Sequence, residues 1–307
     1  MAAHLKAITR IAWLGFGQVA VTLSQPLAAH AALLSAYDLL LEQPGGEAAL
    51  RARAEGAPGG PLPVRLAPLA EALAGADLIL SAVTAEVALE VAERAAPHLR
   101  AEQTYLDLNS TAPTVKVAIG EALASSGVEY VEGAVLDAIG VAGARAHILL
   151  GGPAAQGLAA ALRALGLNAA FYRAEIGAAS TFKMLRSVLT KGLEALLIEF
   201  LLAGRQAGLA DDLWADMADF FQRTSFERAA DNWVASHGAA HERRYHEMAQ
   251  AAETLRALGV EPLMTAATVA FFRRSTALGL AGALPPSGAG RDEVLAALAR
   301  RLAAAEG

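Results

Sequence analysis

The chain has 307 residues, 25 Lys and Arg against 31 Asp and Glu, a formal net charge of −6 and no cysteine. That length predicts two domains. The acidic balance excludes the cationic footprint of a nucleic-acid binder and disfavours an anionic membrane surface, and zero Cys excludes disulfides, thiolate nucleophiles, Cys-ligated zinc and iron–sulfur clusters.

Hydrophobic residues make up 55% of the chain, yet no charge-free run approaches the roughly 18 residues that cross a bilayer. The most apolar long segment, 188–203, carries Lys191, Glu194 and Glu199 and reads as a buried helix of a soluble protein. At the amino end, Lys6 and Arg10 precede only four apolar residues before Gly15, too few for the core of a signal peptide. The expected location is the cytoplasm, and the expected partners are a small-molecule substrate with no nucleic acid and no membrane.

In chain order, strands are predicted at 8–14, 33–39, 78–83, 104–108, 130–135, 147–150 and 169–172, with helical stretches at 66–74 and 85–99 between them. Alternation of this kind implies βαβ units and a parallel sheet. Residues 43–63, rich in Gly and Pro, read as a surface loop around a short helix. From Gly177 onward the strand signals stop. Helical periodicity runs at 178–207, 211–222, 226–235, 239–258, 262–280 and 292–304, with Pro262 at a helix start and Pro285, Pro286 and Gly288 in a loop. The reading is an α/β fold: a doubly wound Rossmann-type dinucleotide-binding domain over 1–174, then an all-helical substrate and dimerisation domain over 175–307, entered through a long helix.

Gly15, Phe16, Gly17, Gln18, Val19 and Ala20 follow the first strand and open a helical pattern. In a G-x-G-x-x-A turn the first glycine permits the bend and the second admits a pyrophosphate. The small last residue lets helix and strand pack closely, and the helix amino end offers N–H groups to phosphate. Asp38 lies 21 residues beyond Gly17, at the end of the second strand. A carboxylate there accepts hydrogen bonds from the adenine ribose and repels a 2′-phosphate, so the cofactor reading is NAD. Arg51 and Arg53, in the following segment, keep NADP possible.

Lys183 stands near the start of the long helix, where helical spacing puts it on one stripe with Ser187, Lys191 and Glu194 while Phe182, Leu185, Leu189, Leu193 and Leu196 form another. A lysine there can face a cleft and exchange a proton with a substrate oxygen, helped by the neighbouring cations Arg186 and Lys191. It can equally be a surface lysine paired with Glu194.

IAWLGFGQVA, DLILSAVT, YLDLNSTAP and GAASTFKMLRS together resemble the β-hydroxyacid dehydrogenase and 6-phosphogluconate dehydrogenase superfamily over most of the chain. The segment ERRYHEMAQAAETLRALGVEPLM resembles the short helical C-terminal domain of a phosphogluconate-dehydrogenase-like subgroup of undefined substrate. The resemblance implies that Lys183 is the acid/base for hydride transfer and that Asn109 lies near the nicotinamide. It also implies that Val83 and Thr84 line the cofactor and that Ser110 and Thr111 belong to the substrate-carboxylate site. Ser187 and Lys191, on the same helix, are expected to orient the substrate. Ser187 stands where hydroxyacid dehydrogenases commonly carry asparagine, and the segment 135–143 replaces their Ser-Gly-Gly substrate loop. An imine reductase-like enzyme and a catalytically inert NAD(P)-binding protein therefore remain alternatives.

No metal site is expected, since the five-residue spacing of His241 and His246 points their side chains about 140° apart on a helix. Arg243 or Arg244 could reach a substrate anion or lie on a solvated face. Asp137 could face the substrate region or be a turn acid, and Asn232 and Trp233 could line a cleft or pack. The apolar faces of the helical domain predict a homodimer.

Overall fold

The computed structural model describes residues 7–285 and 288–306; Lys6 and Pro286, used above, lie outside them. Eight strands form one sheet in the order β3-β2-β1-β4-β5-β6-β7-β8. They are β1 (Arg10–Leu14), β2 (Leu33–Tyr37), β3 (Val64–Leu66), β4 (Leu78–Ser81), β5 (Thr104–Asp107), β6 (Glu129–Val135), β7 (Ile148–Gly151) and β8 (Ala169–Arg173). All neighbouring strands pair in parallel except β6 and β7, which are antiparallel. The helices of this half are α1 (Gln18–Ala28), α2 (Gly46–Glu55), α3 (Leu69–Leu73), α4 (Ala88–Ala95), α5 (Pro113–Leu123), α6 (Ile139–Ala142) and α7 (Ala155–Ala164).

The central strands are apolar along their whole length because both faces are covered. Ile11 and Trp13 join one buried cluster with α1 and α7, while Ala12 and Leu14 join another with α3, α4 and α5. This is the doubly wound α/β arrangement. Strand order reverses at β1, between β2 and β4, so the carboxyl ends of these three strands meet around a crevice.

Beyond β8 the chain is helical: α8 (Ala178–Gln206), α9 (Ala210–Arg223), α10 (Phe226–Ala257), α11 (Leu263–Ala277) and α12 (Arg291–Glu306). Two compact units result, one ending at Ser187 and the other beginning at Val188, so α8 belongs to both. Within the second unit, Glu199 of α8 accepts hydrogen bonds from the Met264 and Thr265 amides at 2.7 and 2.8 Å and from the Thr265 hydroxyl at 2.6 Å. It thereby satisfies the open amino end of α11. These bonds hold the Glu199 carboxyl below its usual pKa against the opposing effect of burial.

The structure corrects three sequence expectations. α10 is one continuous helix across 226–257, where two were expected. β3, at the sheet edge, was not expected: Val64 and Arg65 lie between the expected loop at 43–63 and the expected helix at 66–74, whose first residue is Leu66. The apolar face of α8 is not buried within the chain: Leu185, Val188 and Ile198 are 66%, 72% and 54% exposed. No helix among the described residues is long and apolar enough to cross a membrane.

Candidate active site

β1 delivers the chain into a turn that glycine makes possible. Gly15 has φ +82°, and a Cβ there would lie 2.7 Å from both the Ala82 carbonyl oxygen and Val83 Cγ1. At Gly17 the situation is the reverse, since a Cβ would meet nothing within 4 Å. Gly17 is the N-cap of α1 and has no side chain with which to cap that helix end. An open surface, backbone amides and a positive helix end suit the diphosphate of a dinucleotide.

Asp38 sits one residue past β2. Its carboxylate accepts the Phe16 amide at 2.8 Å and the Leu40 amide at 3.0 Å, which fixes it against the glycine turn. Each oxygen keeps a lone pair for a ribose hydroxyl. A cavity of about 400 Å³ brings Gly15, Gly17, Gln18, Val19, Asp38, Val83 and Thr84 together, with Leu39, Val87 and Val91 as apolar wall. Phe16 and Asn109, also expected at the cofactor, do not line it: the Phe16 side chain is buried in the core with its amide committed to Asp38, and Asn109 is buried.

Tyr37 closes the cavity beside Asp38, with its hydroxyl donating to Glu42 and the Arg94 guanidinium over its ring at 5.7 Å. Burial and the Glu42 hydrogen bond push the phenol up to about 12, so it stays protonated. Of the two arginines that keep NADP possible, Arg53 reaches the glycine turn at Phe16, the residue whose amide Asp38 binds. Arg51 pairs with Glu47 at 2.5 Å, and Arg53 donates to the Phe16 carbonyl at 2.8 Å.

Asn109 follows β5 and ties two loops together. Its Oδ1 accepts the Val83 amide at 2.7 Å and its Nδ2 donates to Ser81 Oγ at 3.0 Å. The next residue, Ser110, accepts a hydrogen bond from Lys183 Nζ at 2.5 Å. Lys183 lies in the second turn of α8 and is half-buried. Ser187, one turn on, donates to the Lys183 carbonyl at 2.9 Å. Thr111 is buried, and its hydroxyl has no hydrogen-bond partner among the described residues. Lys191 lies two turns beyond Lys183 on α8, exposed, in the second unit.

The other candidates make local contacts, and Trp233 and Arg244 also line a cavity of the helical unit. Asp137 accepts the His147 amide at 2.9 Å, a turn contact, and Arg186 donates to the Leu136 carbonyl at 2.7 Å. Arg243 pairs with Glu247, and Arg244 donates to Ser236 Oγ at 2.8 Å. Trp233 stacks on Phe220 with ring centroids 6.2 Å apart. Buried charges behind the site were missed from the sequence: Asp107, Lys116 and Glu132 are fully buried. The signal for one was present, since Lys116 occupies the same helical stripe as Ile119 and Leu123.

The chain matches a family described as Domain of unknown function (DUF1932) over residues 205–275. A conserved hypothetical protein from Sinorhizobium meliloti 1021 is 33% identical, with 97% of this chain and 98% of that one aligned and a TM-score of 0.60. A conserved protein of unknown function, described as structurally similar to 3-hydroxyacid dehydrogenases, is 27% identical over 89% of this chain and 99% of its own, with a TM-score of 0.57. An imine reductase from Myxococcus stipitatus in complex with NADP+ shares the fold at 14% identity, covering 94% and 98% of the two chains at a TM-score of 0.72.

Proposed function

The chain belongs to the β-hydroxyacid dehydrogenase and 6-phosphogluconate dehydrogenase-like superfamily, and from that premise we propose that it is an NAD(P)-dependent oxidoreductase, selective for NAD, with Lys183 as general acid/base. The substrate is a small, acidic molecule carrying a hydroxyl or carbonyl group. The observation that carries this reading is the 2.5 Å contact between Lys183 Nζ and Ser110 Oγ. Ser110 follows Asn109 directly, and Asn109 holds the Val83 loop of the dinucleotide cavity.

When bound, the nicotinamide supplies or takes the hydride. Gly17 and the amino end of α1 hold the diphosphate, and Asp38 accepts from the adenine ribose. Lys183 gives its proton to a carbonyl oxygen during reduction and takes it back during oxidation. Ser110 keeps the ammonium in place, and the unpartnered Thr111 hydroxyl offers a hydrogen bond to a substrate carboxylate. Ser187 steadies the Lys183 turn and presents lone pairs to the substrate, while Lys191 adds positive charge further along α8. Replacing Lys183 with Met tests the assignment: turnover should fall about 10²–10⁴-fold while NADH binding persists. A loss below tenfold contradicts it.

A second reading, reduction of an imine, is supported by the segment 135–143. There the short helix α6 stands in place of the Ser-Gly-Gly loop that the resemblance leads one to expect. NADH and NADPH consumption over matched carbonyl and imine panels separates the two, and tight cofactor binding without any turnover favours an inert binding protein. The exposed apolar row of α8 supports a homodimer, and the cysteine-free composition supports a reducing compartment such as the cytoplasm.

A further inference from the structure

Behind the Lys183–Ser110 contact lies a buried set of charges on β5, β6 and α5. The register of β5 and β6 sets Asp107 beside Glu132, two carboxylates abreast on neighbouring strands. Lys116 of α5 places its Nζ 3.0 Å from Asp107 Oδ1 and donates to the Asp107 carbonyl at 3.1 Å. Burial pulls the Lys116 ammonium below the ordinary lysine range, and Asp107 first and Glu132 after it oppose that by favouring the charged form. Room for Glu132 is made by its partner on β7, because a Cβ at Gly151 would lie 2.6 Å from Glu132 Oε1.

Each carboxylate leads to one side of the proposed reacting pair. Asp107 Oδ1 accepts the Asn109 amide at 2.9 Å and Oδ2 accepts the Tyr130 hydroxyl at 3.2 Å, so Asp107 sets the loop that carries Ser110. Glu132 accepts the Ala179 amide at 2.9 Å, the Ser180 hydroxyl at 2.6 Å and the Ser180 amide at 3.3 Å. It therefore fixes the first turn of α8, one turn before Lys183. Two carboxylates side by side out of water repel, and the counter-charges are the Lys116 ammonium and the positive amino end of α8.

We propose that Lys116 is a positioning residue. By neutralising the Asp107–Glu132 pair it locks the β5 loop and the α8 start in mutual register, and so holds Lys183 against Ser110. Without it, the two carboxylates face each other with no ammonium between them, and their repulsion releases the loop or the helix turn. The proposal rests on the reading of Lys183 and Ser110 as the reacting pair.

The test does not depend on turnover. Full-length protein is acylated with limiting acetic anhydride, and peptide mass spectrometry gives the rate at Lys183 relative to Lys191, the exposed control two turns on. Lys116→Met is expected to raise that ratio at least threefold. The charge-balanced Asp107→Asn/Lys116→Met variant, whose Asn oxygen can still accept the Asn109 amide, is expected to return it to within about twofold of wild type. An unchanged ratio in folded Lys116→Met overturns the proposal. Where Lys116→Met does not fold, the double variant decides: a near-wild-type ratio supports the charge-balance role, and a ratio still raised threefold overturns it. Failure of the catalytic reading shows instead as unimpaired turnover in Lys183→Met, a result that leaves the labelling ratios untouched.

Discussion

Lys183 and Ser110, 73 residues apart, meet at 2.5 Å because the loop after β5 and the start of α8 converge at the carboxyl edge of the sheet. A hydrogen bond to a charged group contributes about 1.5–3 kcal/mol. Ser110→Ala is therefore expected to lower kcat/KM by roughly 10- to 100-fold with little change in NADH affinity, measured by steady-state kinetics beside fluorescence titration. An equal loss in cofactor affinity would place Ser110 in the cofactor site instead.

The two glycines of the turn separate folding from binding. Gly15→Ala forces φ +82° on a residue with a Cβ and drives that Cβ into the Ala82 carbonyl, so a loss of about 1–3 kcal/mol in unfolding free energy is expected. Gly17→Ala meets only open space in the protein. Its thermal midpoint should stay near that of wild type while NADH affinity falls at least tenfold. If Gly17→Ala binds NADH normally, that space does not belong to the diphosphate.

Asp38 sets cofactor preference by charge. Held by the Phe16 and Leu40 amides, its carboxylate cannot swing away from a 2′-phosphate. Two like charges near 4 Å at an effective dielectric constant of 20 repel by about 4 kcal/mol before screening. Asp38→Ser should shift the NADH-to-NADPH affinity ratio at least tenfold toward NADPH. An unchanged ratio would show that discrimination lies elsewhere.

His237 makes the helical unit acid-sensitive. Burial first, then His241 and Arg244, lower its pKa from 6.5 to about 4. The unfolded chain thus binds the proton more readily, and the contribution is complete above pH 6.5 and is lost as pH falls through about 4. His237→Gln should flatten the fall in thermal midpoint across that window. A variant whose midpoint falls as steeply as wild type would rule out this histidine as the source.

Association should depend on α8. Light scattering is expected to give twice the chain mass for wild type. Leu189→Lys/Leu193→Lys, on the exposed apolar row, should shift the population toward monomer at micromolar concentration. A wild-type mass equal to one chain would contradict the homodimer.

The glycine turn and the central strands were legible because buried parallel strands read as apolar runs and a tight bend needs glycine in a fixed place. β3 was not, being two half-buried residues at an edge on either side of the exposed Arg65. The two helices expected at 226–235 and 239–258 leave a gap that contains Gly238, where α10 runs on unbroken. In the structure a Cβ at that point would lie 2.3 Å from Leu284 Cδ1, so the glycine serves close packing within a continuous helix. The α8 leucines read as core because periodicity reports an apolar face without saying which chain covers it. Asp107 and Glu132 were invisible for a different reason: their pairing follows from strand register, and register between strands 25 residues apart is written in no local pattern.

Calorimetric titration of the wild-type protein with NADH and NADPH tests the central claim most directly. The account predicts saturable one-site binding of NADH in the micromolar range, with NADPH at least tenfold weaker. Absence of heat from both dinucleotides up to millimolar concentration would contradict it.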